Sequence, residues 1–102
     1  MEVVRPVRLR FTTEAREHIA AIYNYIRDRN PVAATQVVAR IRLAAEQLTE
    51  FPRMGRAGRV PGTHEWVVRR LPYIIVYQPG VTDPDEVLIL GVFHAAQDRE
   101  RE

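Results

Sequence analysis

The order of apolar and polar residues along the chain follows two rhythms, and the change between them divides it. Near the start, Arg5, Val7, Leu9 and Phe11 alternate with Val4, Pro6, Arg8 and Arg10. That period of two predicts a strand, and Pro6, which has no N–H to give a ladder, places it at a sheet edge. From Ala15 the period lengthens: Ala15, Ile19, Ile22 and Ile26 fall on one face of a helix. Thr12 and Thr13 offer an N-cap ahead of it, with Glu14 and Glu17 near the positive end of its dipole. Asn30-Pro31 then stops one helix and starts another, Asn30 as cap and Pro31 at the first helical position. In the second helix Ala34, Val37, Val38, Ile41, Ala44, Ala45 and Leu48 form an unbroken apolar stripe, with Arg40, Arg42, Glu46 and Gln47 off it. So short a connection predicts an antiparallel helical hairpin.

Phe51-Pro52 ends the second helix, and "FPRMGRAGRVPG" (51–62) reads as a loop. Three strand-like runs follow, at 64–71, 73–78 and 86–94, separated by Pro72 and by the turn-rich "PGVTDPD". The polar tail from Ala95 is expected to fray. The order β-α-α-β-β-β over residues 1–102 predicts a single α+β domain, a mainly antiparallel four-stranded sheet packed on an N-terminal helical hairpin. The last run is apolar on both faces, Val87, Ile89 and Phe93 on one side and Leu88, Leu90 and Val92 on the other, and "YIIVY" behaves alike. A hairpin covers one face of a sheet, so the other calls for a loop, the tail or another chain.

Composition narrows the classes. With 102 residues, 46% of them hydrophobic and 27% charged, the chain has the makings of one globular domain. It has no apolar run long enough for a membrane span and no signal-peptide stretch at its start, and its lack of cysteine excludes disulfides and fits a reducing cytoplasm. All 15 basic residues are arginine, which codon usage in a GC-rich genome explains as well as selection for phosphate binding does. Their placement is more informative. The segment from Arg53 to Arg70 holds five arginines against one glutamate, Glu65, while the whole chain is only +2. Such a patch attracts a phosphate backbone or an acidic partner; the plainer reading is a loop kept soluble by charge.

The glycines of this loop lack the spacing of a phosphate cradle, and there is no lysine to complete one. His18, His64 and His94 stand far apart without neighbouring ligands, so neither metal nor other cofactor is expected, and His18 reads as a border residue of its helix. Strand alternation puts His64, Trp66, Val68 and Arg70 on one side and Glu65, Val67, Arg69 and Leu71 on the other. The first set resembles a stacking platform for single-stranded nucleic acid; the alternative is a core position for Trp66 and Val68 with Arg70 on the rim. His94 closes the last strand beside Tyr73 and Tyr77, where it can act as general acid or base in RNA cleavage or tie down the tail by a hydrogen bond.

Over nearly its whole length the chain resembles the RelE/ParE superfamily of toxins from type II toxin–antitoxin pairs. The resemblance is carried by the hairpin with Leu48, Pro52 and Gly55, by "YIIVYQ", and by "VLILGVFHAAQD" with Val92, His94 and Asp98. It implies the fold already derived, a cytoplasmic protein without a membrane partner, and a cognate antitoxin that wraps across the toxin and covers spare apolar surface. It also implies one of two targets. RelE-like members cleave messenger RNA on the ribosome and commonly carry arginine after the first tyrosine of Tyr-Arg-apolar-apolar-Tyr; Ile74 holds that place here. Isoleucine cannot stabilise the charge that builds on a phosphate under attack. ParE-like members lack the catalytic set and poison DNA gyrase, and the long hairpin and "VFHAAQD" are similar to that branch. The favoured reading is therefore a gyrase poison with no catalytic residue, contacting its target or antitoxin through Arg53, Arg56, Arg59, Trp66 and Arg70. The alternative is a ribosome-dependent endoribonuclease with His94 as acid or base and Arg69 or Arg70 as phosphate stabiliser.

Overall fold

The computed structural model describes residues 8–81 and 83–98. In chain order these form β1 (Arg8–Phe11), α1 (Thr13–Arg27), α2 (Pro31–Glu50), β2 (Arg56–Ala57), β3 (His64–Val67), β4 (Tyr73–Pro79), β5 (Glu86–His94) and α3 (Ala95–Asp98). The helical hairpin begins where its caps dictate. Thr12 Oγ1 accepts from the Ala15 N–H at 3.1 Å, and Asn30 Oδ1 accepts from the Ala33 N–H at 3.1 Å. α1 buries Ala15 and Ile19 and α2 buries Ile41, Ala44, Ala45 and Leu48 in the core they share with the sheet, and Ala34 of α2 is buried as well. Full burial of Ile41 and Leu48 stabilises the fold by about 1.5–3 kcal/mol each.

The sheet departs from the expected four antiparallel strands. It has five, in the order β1-β5-β4-β3-β2, and β1 runs parallel to β5 while the other pairs are antiparallel. The fifth strand is β2, two residues inside the arginine loop, which pair Arg56 with Glu65 and Ala57 with His64. β1 lies at the sheet edge as its pattern predicts; Pro6 lies outside the described residues. β3 ends at Val67, not at Leu71. Arg70 adopts φ +64°, Val68 N–H donates to Tyr73 O at 2.9 Å, and Leu71 N–H donates to Val68 O at 3.1 Å, so the chain turns before Pro72 instead of extending to it. The tail's first residues, expected to fray, form α3.

β5 is interior to the sheet along its first half, flanked by β1 and β4. Tyr77 pairs with Ile89 and Val76 with Gly91, leaving Leu90 as a bulge. The α1 N-cap satisfies that irregularity: Thr12 N–H donates to Ile89 O at 3.0 Å and Thr12 Oγ1 to Leu90 O at 3.2 Å. Past the end of β1, His18 Nδ1 accepts from the Val92 N–H at 3.2 Å, so α1 closes the edge that β1 leaves open. On the face away from the core, Phe93 lies over Gly91, where a Cβ would stand 2.7 Å from its ring, and His18 tilts against Phe93 at 4.8 Å. Ile74 and Val76 are buried beside them. Part of the spare apolar surface is thus covered by the chain itself.

Candidate functional site

The basic segment splits into two places. The first is the loop after α2. Here Tyr77, fully buried in β4, uses one hydroxyl twice: it accepts from the Gly55 N–H at 3.0 Å and donates to Pro52 O at 2.8 Å. A Cβ on Gly55 would stand 2.6 Å from Glu65 O and 2.7 Å from the Tyr77 hydroxyl, so this close approach requires glycine. The clamp fixes the turn that exposes Phe51, Arg53 and Met54. Arg56 leaves the turn in β2 and pairs with Glu65 at 2.9 Å, its own side chain 64% exposed and that of Glu65 only 4%. Arg59 is exposed in the turn that follows.

The second place is a cleft of about 520 Å³ between α2 and the end of β3. Trp66, Val68, Arg69 and Arg70 form one wall, and Arg40, Leu43, Ala44 and Gln47 the other. Trp66 packs its ring against the core and Val68 is buried, so the floor is apolar while three guanidinium groups stand at the rim with no carboxylate in the lining. The expected alternation from His64 through Arg70 stops with the strand. His64 stacks on Tyr77 at 5.5 Å instead of joining a platform, and its Nδ1 is buried without a hydrogen-bond partner among the described residues. The structure brings Trp66, Arg69 and Arg70 together; it leaves Arg53, Arg56 and Arg59 outside this cleft.

Sequence reasoning missed the opposite wall. Arg40, Leu43 and Gln47 recur at helical spacing on the side of α2 taken for solvent, and the signal was Leu43, a large apolar residue off the buried stripe and well exposed. Arg70 carries a second mark. It is the one described non-glycine residue at positive φ, a conformation that costs an L-residue about 1–2 kcal/mol.

His94 sits at the end of β5, outside the cleft lining, edge-on to Tyr73 at 5.6 Å. Its Nδ1 accepts from the Ala96 N–H at 3.1 Å, which starts α3; the hydrogen bond to the tail runs from backbone to imidazole. Burial holds the Tyr73 phenol above the ordinary tyrosine range, with Tyr25 adding to the effect. Burial raises Tyr77 as well, opposed by the hydrogen bond from Gly55. On the sheet face away from the core, register places Ile74 between Val67 and Phe93, and Glu65 beside Val76. Ile74 is 4% exposed. Among the described residues no group of His, Cys, Asp or Glu is arranged to hold a metal ion, and no helix is long and apolar enough to cross a membrane.

Comparison with known proteins gives this geometry a family. Residues 9–99 match the family described as the ParE toxin of the type II toxin–antitoxin system parDE. The chain is 42% identical over 90 residues to "Putative toxin Y4kP" of Sinorhizobium fredii, covering 88% of this chain and 90% of that one. Among solved structures it is similar to the chromosomal ParDE system from P. aeruginosa, with TM-score 0.69 and 24% identity over 86% of this chain and 95% of that one. It is also similar to the RelBE2 toxin–antitoxin complex of Mycobacterium tuberculosis, with TM-score 0.58 and 28% identity over 88% and 99% of the two chains. The chain belongs to the ParE toxin family of type II toxin–antitoxin systems, within the RelE/ParE superfamily.

Proposed function

We propose that this toxin poisons DNA gyrase by surface complementarity, performs no covalent chemistry itself, and is held inactive by a cognate antitoxin. The observation that carries the reading is Ile74. In the RelE-like pattern this position supplies an arginine for the scissile phosphate; here an aliphatic side chain is buried there between Val67 and Phe93. Glu65 lies on the same face, and Arg56, its neighbour in register, is ion-paired to it. Ile74 thus offers no cation at the place where the RelE-like pattern would set one against the charge developing on phosphate. The antitoxin part of the proposal draws on the neighbours, which are toxin–antitoxin complexes. Three rim arginines over an apolar floor suit an antitoxin segment that alternates carboxylates with large apolar residues.

One observation favours the nuclease reading. The Ala95 N–H donates to Pro72 O at 2.7 Å, tying the end of β5 to the turn that carries Arg69 and Arg70, so His94 and two cations share one end of the sheet. A cleavage-complex assay decides. Purified toxin, gyrase, supercoiled plasmid and ATP are expected to yield linear DNA after detergent and protease, and folded His94→Ala to yield the same amount. Absence of linear product from folded, toxic protein, together with loss of toxicity in folded His94→Ala, would replace this reading with ribosome-dependent RNA cleavage.

A further inference from the structure

A non-glycine residue at positive φ persists only where its surroundings over-determine the backbone. Arg70, at φ +64°, is held from two directions. Within the turn, Leu71 N–H donates to Val68 O at 3.1 Å and Val68 N–H donates to Tyr73 O at 2.9 Å. From outside, the Ala95 N–H donates to Pro72 O at 2.7 Å, where β5 gives way to α3. That last donor is distant in sequence, and its position depends on how the chain turns after His94.

His94 sets that turn. It is paired in register with Tyr73, the first residue of β4, and its ring meets the Tyr73 ring edge-on at 5.6 Å. Its Nδ1 accepts from the Ala96 N–H at 3.1 Å, as a helix N-cap does: an acceptor on the residue before the helix satisfies the second helical N–H. Accepting there leaves the proton of the neutral ring on Nε2, so the imidazole has no lone pair to spare as a base. The contacts run in series from the imidazole to Ala96, from Ala95 to Pro72, and from Pro72 into the turn whose Arg69 and Arg70 line the cleft. His94 is outside that lining, so any effect it has on binding must pass through the turn. We infer that His94 is a positioning residue for antitoxin binding: through its cap on α3 and the Ala95–Pro72 hydrogen bond it holds the Arg70 turn in its left-handed form and so sets Arg69 and Arg70 at the rim of the cleft. The inference rests on the reading of the cleft as the antitoxin site.

Three substitutions isolate the acceptor. Asn puts a side-chain oxygen near the place of Nδ1 and is a good cap, Gln carries its amide one bond further out, and Ala offers no acceptor. Each variant is first shown to fold, and its antitoxin affinity and amide hydrogen exchange are then measured. His94→Ala and His94→Gln should weaken antitoxin binding about three- to tenfold and speed exchange of the Leu71 amide. His94→Asn should stay within about twofold of wild type in both. In an Arg70→Gly background, where the strain and the guanidinium are both gone, His94→Ala should weaken binding little further, so the two changes combine non-additively. Unchanged Leu71 exchange in His94→Ala overturns the inference, as does failure of Asn to rescue, or plain addition of the His94→Ala and Arg70→Gly effects on affinity. Loss of toxicity in folded His94→Ala and His94→Asn alike, with antitoxin affinity intact, would make the imidazole catalytic instead. Arg40→Glu tests the cleft by itself. Unchanged antitoxin affinity there would overturn the cleft reading and with it the antitoxin half of the inference, while Leu71 exchange would still decide whether His94 holds the turn.

Discussion

Arg56 and Arg70 lie in the same basic segment, yet the fold treats them in opposite ways. Arg56 sits in an ordinary extended strand and lends its guanidinium to Glu65, a carboxylate buried in the sheet. Arg70 sits in a left-handed turn, makes no ion pair among the described residues, and stands at the rim of a cleft with an apolar floor. The first satisfies a buried charge. The second is kept in a conformation that glycine would adopt more readily, in a place where its side chain meets solvent or a partner. A count of arginines, which made the whole segment one basic surface, cannot separate these roles; the backbone and the neighbouring carboxylates do.

The largest effect expected from this contrast is at Arg56. Arg56→Ala leaves Glu65 buried without that donor, and loss of a hydrogen bond to a charged group destabilises by about 1.5–3 kcal/mol. Urea unfolding should show a lower midpoint with an unchanged slope. Glu65→Gln combined with Arg56→Ala should recover part of the loss, because the neutral amide tolerates burial better. A midpoint unchanged in Arg56→Ala would mean that the pair is a surface contact and would dissolve the distinction from Arg70.

The hairpin was legible because its signals are local. Thr12, Asn30 and Pro31 mark the helix starts, and the stripe from Ala34 to Leu48 has one period throughout. The sheet was legible in composition but not in pairing. Nothing near Arg8 announces that β1 will join β5 in parallel, since that contact closes only after the hairpin folds back. β2 was missed because two residues carry no period. β3 was drawn too long because "WVVRRL" keeps a strand-like pattern past the point where the turn at Arg70 interrupts it. The cleft was half legible: Trp66 and Arg70 stood out by chemistry, whereas Arg40 and Gln47 became visible only once the fold set α2 across the cleft from the end of β3.

A second prediction concerns the loop that Tyr77 clamps. Tyr73 and Tyr77 ionise above the ordinary tyrosine value of about 10, chiefly because burial penalises the phenolate. Below about pH 10 both are protonated in the folded and unfolded chain, and their contribution to stability is whole. Above it the unfolded chain releases its protons first, so stability declines as the pH rises through the raised folded values. The phenolate of Tyr77 can still accept from Gly55 but can no longer donate to Pro52. Denaturant midpoints measured across the alkaline range should fall, and Tyr77→Phe should flatten part of that slope. An identical slope in wild type and variant would show that the clamp plays no part in the alkaline transition.

The smallest effect on stability is expected at Arg70, and it sharpens the contrast most. Arg70→Gly removes a left-handed strain of about 1–2 kcal/mol but returns about 0.5–1 kcal/mol to the flexibility of the unfolded chain. The balance places the variant between no change and about 1.5 kcal/mol more stable than wild type, as a shift of the urea midpoint would record. Binding should move the other way. Loss of one of three rim guanidinium groups should weaken the antitoxin complex several-fold, with a smaller dependence on salt than wild type shows. Gly at 70 would then give a more stable toxin that is held less tightly, the pattern expected where backbone strain is retained for recognition. Clear destabilisation with unchanged antitoxin affinity would reverse the assignment, making Arg70, like Arg56, a residue that serves the fold.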